Sequence, residues 1–364
     1  MRKIAIFCES YGTISTTLHL ATQYVQENTP VTIIIPFFPD LFQFITEINE
    51  RVFNDSLNVI YLQPKPERRQ TSGILKKIVR LSIGLLDERA HLKRLFHHQL
   101  GEIIGYEIFF SSRYNGALIY FLKRLSRNNS IVYIDSFPPG REISKPYIPF
   151  KFHDLLLMIS ARFVYGPDPV MIKFPFTDGY IYMPDRFIEK HAKRVIGFEE
   201  REEMVSSLDM KRFQVFDTGS YAVIYFSHRL GSDTIPDQEV LKEEIGEIFK
   251  VVNKYFPKEE IATKHHPGHV NDEDVMKIGH QLEAYIPAEF FLGKQTKMYL
   301  SFWSLSIAHV EEGLAVSLMD LITLVSEEIR EQYRVYLLSH SKSEILFPKT
   351  LHEFEKIIKR IKKE

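Results

Sequence analysis

Short apolar runs recur along the chain, and stretches with helical spacing separate them. Ile4 to Cys8, Val31 to Ile35 and Asn58 to Leu62 each read as a buried strand, the second stopped by Pro36. Glu107 to Phe110 and Ser130 to Ile134 continue the series. Between them lie helical patterns, one through Leu18, Ala21 and Val25 and one through Leu118 and Leu122. Strand, loop, helix, strand is the opening of a parallel α/β domain. A second series begins at Tyr221 to Phe226. Its helix carries Val240, Leu241, Ile245, Ile248 and Val251 on one face. A strand end at Glu260 to Thr263 follows, then a short strand with a proline and a glutamate opening a helix over Leu282 to Leu292. Lys297 to Leu300 is a further strand. The charged stretch 189–212 reads as helix, and the Pro-, Tyr- and Phe-rich stretch 145–185 as the region between two domains.

Composition narrows the class without naming it. The 364 residues are 45% hydrophobic and 26% charged, as in an ordinary globular protein of two domains or one large one. Lys and Arg number 46 against 47 Asp and Glu, so nucleic acid is not an expected partner. The single cysteine, Cys8, excludes an internal disulfide framework and a cysteine-rich zinc site, and its apolar run makes it a core thiol. The start has no signal-peptide pattern, and no apolar stretch is long enough to span a bilayer. The expected location is the cytoplasm.

Charge is unevenly placed, however. Between 68 and 98, Arg68, Arg69, Lys76, Lys77, Arg80, Lys93 and Arg94 interleave with leucines and isoleucines. That is a basic amphipathic helical pattern, either a solvated face or a grip for a polyanion or anionic membrane. The tail from Phe354 to Glu364 repeats it, so peripheral contact with the inner face of a membrane is expected, or simple packing on the surface.

Candidate chemistry sits where strands end. Lys264-His265-His266-Pro267-Gly268 closes a strand of the second series. Open α/β sheets bind ligands outside the carboxyl ends of their strands. Pro267 restricts the His266 backbone, and an imidazole there can bond a phosphate or give a proton to a leaving group. The alternative is a turn with surface histidines. Ser227, His228 and Arg229 after Phe226 suit phosphate or base contacts. Glu289 is placed to accept both hydroxyls of a ribose. Ser301, Ser304 and Ser306 form an anion site at a helix start, or cap it. In the first half, Asp135 ends a strand before an irregular loop, either facing a crevice or capping that loop. Arg113 follows the strand before it. No metal-binding motif stands out, because Asp272-Glu273-Asp274 reads as a helix start.

The order Asp135, His266-Pro267, Glu289, Ser301 to Ser306 resembles the bacterial sialyltransferases and polysialyltransferases of GT-B architecture. Those enzymes carry an acidic motif, an H-P motif and a serine motif in this order. The resemblance covers residues 100–310 in outline and is strongest from Ile261 to Ser306. It implies an α/β GT-B fold, two Rossmann-like domains whose parallel sheets face a central cleft. It implies an N-terminal acceptor domain over 1–178, a C-terminal nucleotide-sugar domain over 179–345 and a basic helix over 346–364. The implied reaction moves sialic acid from CMP-sialic acid to a glycan hydroxyl with inversion, without metal or other cofactor. Asp135 matches the general base and His266 the histidine on the departing phosphate. Lys264, His265, Pro267, Glu289 and the serines fall on the donor side, with Ser227, His228 and Arg229. The basic residues of 68–94 and Arg113 fall on the side of an acidic glycan acceptor. The chain departs from the family at Asp135-Ser136-Phe137, where two acids and a glycine are expected; Glu142 and Asp154 are the other carboxylates within reach. A GT-B transferase using CMP-Kdo or a CDP-polyol, and a non-catalytic nucleotide- or glycan-binding relative, are the competing readings.

Overall fold

The computed structural model describes residues 2–64, 86–111, 116–135, 159, 162–165, 170–173, 180–183, 188, 190–208, 210–213, 215–216, 220–227, 234–265, 278–292, 295–341 and 343–363. Two units divide the chain, Met1–Val215 and Phe216–Glu364.

The first unit is built on one parallel sheet. Its strands are β1 (Lys3–Phe7), β2 (Val31–Pro36), β3 (Leu57–Leu62), β4 (Tyr106–Phe110) and β5 (Ser130–Ile134). A separate antiparallel pair, β6 (Val170–Lys173) and β7 (Tyr180–Met183), precedes β8 (Ala192–Ile196), which completes the large sheet. The order is β3-β2-β1-β4-β5-β8. Helices α1 (Ile14–Gln26), α2 (Pro39–Val52) and α3 (Gly116–Leu125) connect its strands. Every position of β2 is buried, as a strand covered on both faces requires. Ala5, Phe7, Ile108, Phe110, Ile131 and Tyr133 pack with Leu118, Phe121 and Leu122 of α3 into one apolar cluster.

The second unit repeats the plan. Strand β9 (Val223–Phe226) leads into α5 (Gln238–Tyr255), then β10 (Ile261–Lys264), β11 (His280–Leu282), β12 (Met298–Ser301), β13 (Leu314–Ser317) and β14 (Ile345–Leu346). The order is β11-β10-β9-β12-β13-β14, again all parallel. In both sheets the chain starts at an inner strand, winds to one edge, then returns to fill the other half. That is the doubly wound order, and it makes both units Rossmann-like. The α/β class expected from the sequence is the one observed.

Several expectations change in detail. The first unit takes in the stretch 189–212, which is not one helix. It contains β8, then Gly197, then α4 (Phe198–Ser206). Hydrogen bonding to β5 overrides the helical look of that sequence. Lys193, Arg194 and Val195 remain exposed there, as an edge strand tolerates. Arg201 of α4 donates to Thr16 Oγ1 of α1 at 3.1 Å, which ties α4 to the first unit. Around 282–292, β11 ends at Leu282, and the helix after Pro287 is a single 3-10 turn, Ala288–Phe291.

The basic tail is helix α7 (Leu351–Lys363), and it belongs to the second unit rather than standing apart. Its apolar face, Phe354, Ile358 and Ile361, is buried. Glu355 accepts from Lys254 Nζ at 2.7 Å and from the Tyr255 hydroxyl at 2.6 Å, both on α5. The face that would enter a bilayer is therefore already covered. Helix α6 (Glu327–His340) precedes β14, with Ser326 capping it through Ile329 N.

Candidate functional site

In the second unit the sheet reverses direction of winding between β9 and β12, the point at which open α/β sheets bind ligands, outside the carboxyl ends of the strands. Four predicted residues stand there: Ser227 just past β9, Lys264 and His265 at the end of β10, and Ser301 closing β12. Ser227 N donates to the Lys264 carbonyl at 3.0 Å, which extends the β9–β10 ladder by one step. The Ser301 hydroxyl donates to the Phe226 carbonyl at 3.1 Å, across the reversal point.

His265 is locked from both sides. The Gln281 amide nitrogen donates to the Gly279 carbonyl at 3.2 Å, which turns its oxygen toward the ring. That oxygen accepts from His265 Nε2. Nδ1 hydrogen-bonds with the Ser227 hydroxyl at 2.8 Å. This network places a proton on Nε2 and fixes the orientation of the ring. Lys264 is 3% exposed, and its ammonium donates to the carbonyls of His265 at 2.7 Å and Ala284 at 2.9 Å. Lys264, His265 and Ser227, predicted to touch a ligand, are buried and hydrogen-bond to the protein's own groups. Lys264 adds a positive charge to that network, which favours an anion.

The serines behave as a relay. Ser301 Oγ accepts from Ser304 N at 3.1 Å. Ser304 caps the 3-10 turn Leu305–His309, accepting from Ser306 N at 3.3 Å, and its hydroxyl donates to Ser306 Oγ at 3.1 Å. Ser301 is fully buried, whereas Ser304 and Ser306 are partly exposed, with Ser306 outermost in hydrogen-bond order. Glu289 lies in the turn after Pro287, partly exposed. His228, Arg229, His266 and Pro267 lie outside the described residues.

The first unit presents a different chemistry. Its winding reverses between β1 and β4. Asp135 follows β5, one strand from that point, half-buried, with its N–H donating to the Ile196 carbonyl at 2.8 Å. Sequence reasoning passed over two neighbours. Glu9, 3% exposed, follows β1, and Ser111, 5% exposed, follows β4. The signal was present: a carboxylate ends the apolar run Ile4 to Cys8. Cys8 itself is a core thiol, fully buried and pushed up to about 11 by that burial, so it is unreactive.

Of the basic acceptor-side candidates, Lys93 and Arg94 are exposed on a helical stretch over 86–95, whose Leu92 and Leu95 are buried. Arg68, Arg69, Lys76, Lys77, Arg80 and Arg113 lie outside the described residues, as do Glu142 and Asp154. Among the described residues, no group of three or more His, Cys, Asp or Glu is arranged to hold a metal ion, and no helix is long and apolar enough to cross a membrane.

No protein-family model and no curated protein sequence matches this chain. Solved structures do resemble it. The calicheamicin glycosyltransferase CalG4 shares 12% identity at a TM-score of 0.45, over 100% of this chain and 90% of its own. The UDP-GlcNAc 2-epimerase of Methanocaldococcus jannaschii shares 10% at 0.41, over 100% and 92%. The spinosyn rhamnosyltransferase SpnG, complexed with thymidine diphosphate, shares 9% at 0.40, over 100% and 92%. At these values the likeness is a loose one of backbone course.

Proposed function

We propose that the chain is an inverting glycosyltransferase that moves sialic acid from CMP-sialic acid to a hydroxyl of a glycan. The observation that carries this reading is the contrast between the two reversal points. The second unit offers a lysine, an imidazole and serine hydroxyls, which suit an anionic nucleotide. The first offers carboxylates, which repel phosphate and suit hydroxyl groups. One nucleotide-sugar half and one acceptor half is the division a transferase needs.

The chemistry follows from the donor. The acceptor O–H gives its proton to a carboxylate, and Asp135 matches the position of the family's base. The acceptor oxygen bonds to C2 of the sialyl group as the C2–O bond to phosphate breaks. The bonding pair leaves with CMP, whose phosphate takes its stabilisation from neutral and cationic donors. His266, next in sequence to the locked His265, is the group assigned to assist that departure. A single phosphate calls for no diphosphate-binding metal. The acceptor is a glycan that the basic residues of 68–94 grip if it is acidic. The work takes place in the cytoplasm, where the exposed Lys356, Lys359, Arg360, Lys362 and Lys363 of α7 offer an electrostatic contact to the inner membrane face.

Two measurements test the reading. Thermal unfolding with CMP, CDP, UDP and GDP should show stabilisation by CMP above the others. CDP as the preferred ligand would favour the CDP-polyol alternative. Incubation with CMP-sialic acid and glycan acceptors should release CMP, and Asp135→Asn and His266→Ala should each lower that release at least a hundredfold. No release by the unaltered chain, with CMP still bound, would leave a nucleotide-binding protein. CMP-Kdo replacing CMP-sialic acid as the productive donor would reassign the sugar.

A further inference from the structure

The single tryptophan of the chain sits inside the serine segment. Trp303 falls between Ser301 and Ser304 and is 4% exposed. Its indole lies face to face on the ring of Tyr333, with centroids 4.8 Å apart and 15° between the planes. Tyr333 belongs to α6, which packs against the 3-10 turn Leu305–His309. Neither ring has a task in the reaction just described.

The sheet pins the first two residues of this segment. The Ser301 carbonyl accepts from Leu318 N at 2.7 Å, and the Ser301 hydroxyl holds the Phe226 carbonyl. The Phe302 carbonyl accepts from the Ser317 hydroxyl at 2.5 Å. Past Phe302 the chain leaves β12, and the stack on Tyr333 ties it to a helix. That helix is itself anchored on the segment after β13. Arg334 Nη2 donates to both carboxylate oxygens of Asp320, at 2.8 and 2.9 Å, and Arg330 donates to the Ile322 carbonyl at 3.2 Å. Arg330, Tyr333, Arg334 and the buried Leu337 follow at helical spacing, so one face of α6 carries the stack and both arginine anchors.

What the stack holds in place is a hydrogen-bond donor. The Ser304 hydroxyl gives its proton to Ser306 Oγ, so the Ser306 hydroxyl is the one that faces onward. A donor's worth to an anion depends on its aim, because hydrogen bonds weaken steeply away from linearity.

We propose that Tyr333 is a positioning residue for the nucleotide site: by stacking on Trp303 it holds the Ser304–Ser306 turn so that the Ser306 hydroxyl meets the phosphate. Tyr333 acts through that hydroxyl and touches no part of the nucleotide. The assignment rests on the second unit being the nucleotide half, and adds a separate claim about what aims its donor.

The experiment uses the full chain, with CMP as the probe and calorimetry as the measure of affinity. Ser306→Ala should raise the Kd for CMP about 10- to 100-fold, the loss expected for a hydrogen bond to a charged group. Tyr333→Leu should raise it about tenfold, whereas Tyr333→Phe, which keeps the ring, should stay within about twofold. Adding Tyr333→Leu to Ser306→Ala should cost less than about a further twofold, because its effect runs through the same hydroxyl. Acrylamide quenching of Trp303 gives an independent reading. It should be weak in the unaltered chain, stronger in Tyr333→Leu, and reduced again in that variant by saturating CMP, since a coupling between turn and ligand acts in both directions. If Tyr333→Leu does not fold, Tyr333→His is read in its place, with the same directions at smaller size. A merely structural Tyr333 would lower the urea midpoint and leave the Kd of the folded chain unchanged. That result, additive losses in the double variant, or quenching that CMP does not reduce would each overturn the assignment. If the unaltered chain does not bind CMP, the nucleotide reading itself falls and this assignment with it; CMP binding that no Tyr333 variant weakens removes the positioning claim alone.

Discussion

His265 carries a hydrogen bond on each ring nitrogen, so its neighbours and its own stability are coupled. Removing the Ser227 hydroxyl leaves the buried Nδ1 without that partner, which costs about 1–3 kcal/mol. Ser227→Ala is therefore expected to lower the urea midpoint of the second unit at unchanged slope. If CMP affinity falls and the midpoint does not, Ser227 contacts the ligand and does not serve to hold His265. Gly279 makes a second residue-scale case. It enters β11 at φ +64, and a β-carbon there would collide with the Ile261 carbonyl oxygen on β10. Gly279→Ala is expected to cost about 2–3 kcal/mol, read by the same denaturation, because both the backbone conformation and the close approach exclude a side chain. Single residues were also where the sequence was least legible. Lys264, His265 and Ser227 were visible as strand-end polar groups, but nothing in their spacing showed that they satisfy one another. Glu9 was visible only as the polar residue that follows an apolar run.

Elements were read far better than residues, and the misses share a cause. Buried strands such as β2, β5 and β9 announce themselves, because covering both faces demands an unbroken apolar run. The edge strand β8 has no such run; only its pairing with β5 makes it a strand. Helix α7 illustrates the converse. Its amphipathic pattern was plain, yet the pattern alone left open what its apolar side would meet; it meets α5. The Glu355 contact on that seam gives a pH signature. Its carboxyl is held down to about 2 from an ordinary 4.5, through hydrogen bonds from Lys254 first and Tyr255 second. A lowered carboxyl stabilises the fold above its unfolded pKa, and the contribution fades as pH falls from about 4.5 toward about 2. Glu355→Gln should therefore be less stable than the unaltered chain at pH 7, and the difference should shrink through that window in acid titrations followed by circular dichroism. A difference that stays constant with pH would assign the loss to packing.

At the scale of the whole molecule, two units of the same winding order have different tasks in the proposed reaction, and calorimetry can separate them. CMP at a hundred times its dissociation constant should stabilise the second unit by about 2.7 kcal/mol and leave the first unit's transition where it is. Two transitions moving together would mean that the units unfold as one body.

The first sheet has one more property, visible in how its last two strands are joined. Strands β5 and β8 lie side by side, yet residues 135–191 intervene between them, the β6–β7 pair among them. Chain entropy penalises such an excursion only weakly, about 0.6 kcal/mol for each doubling of its length. The β5–β8 register is therefore held by the pairing of the two strands themselves and not by a short connection between them.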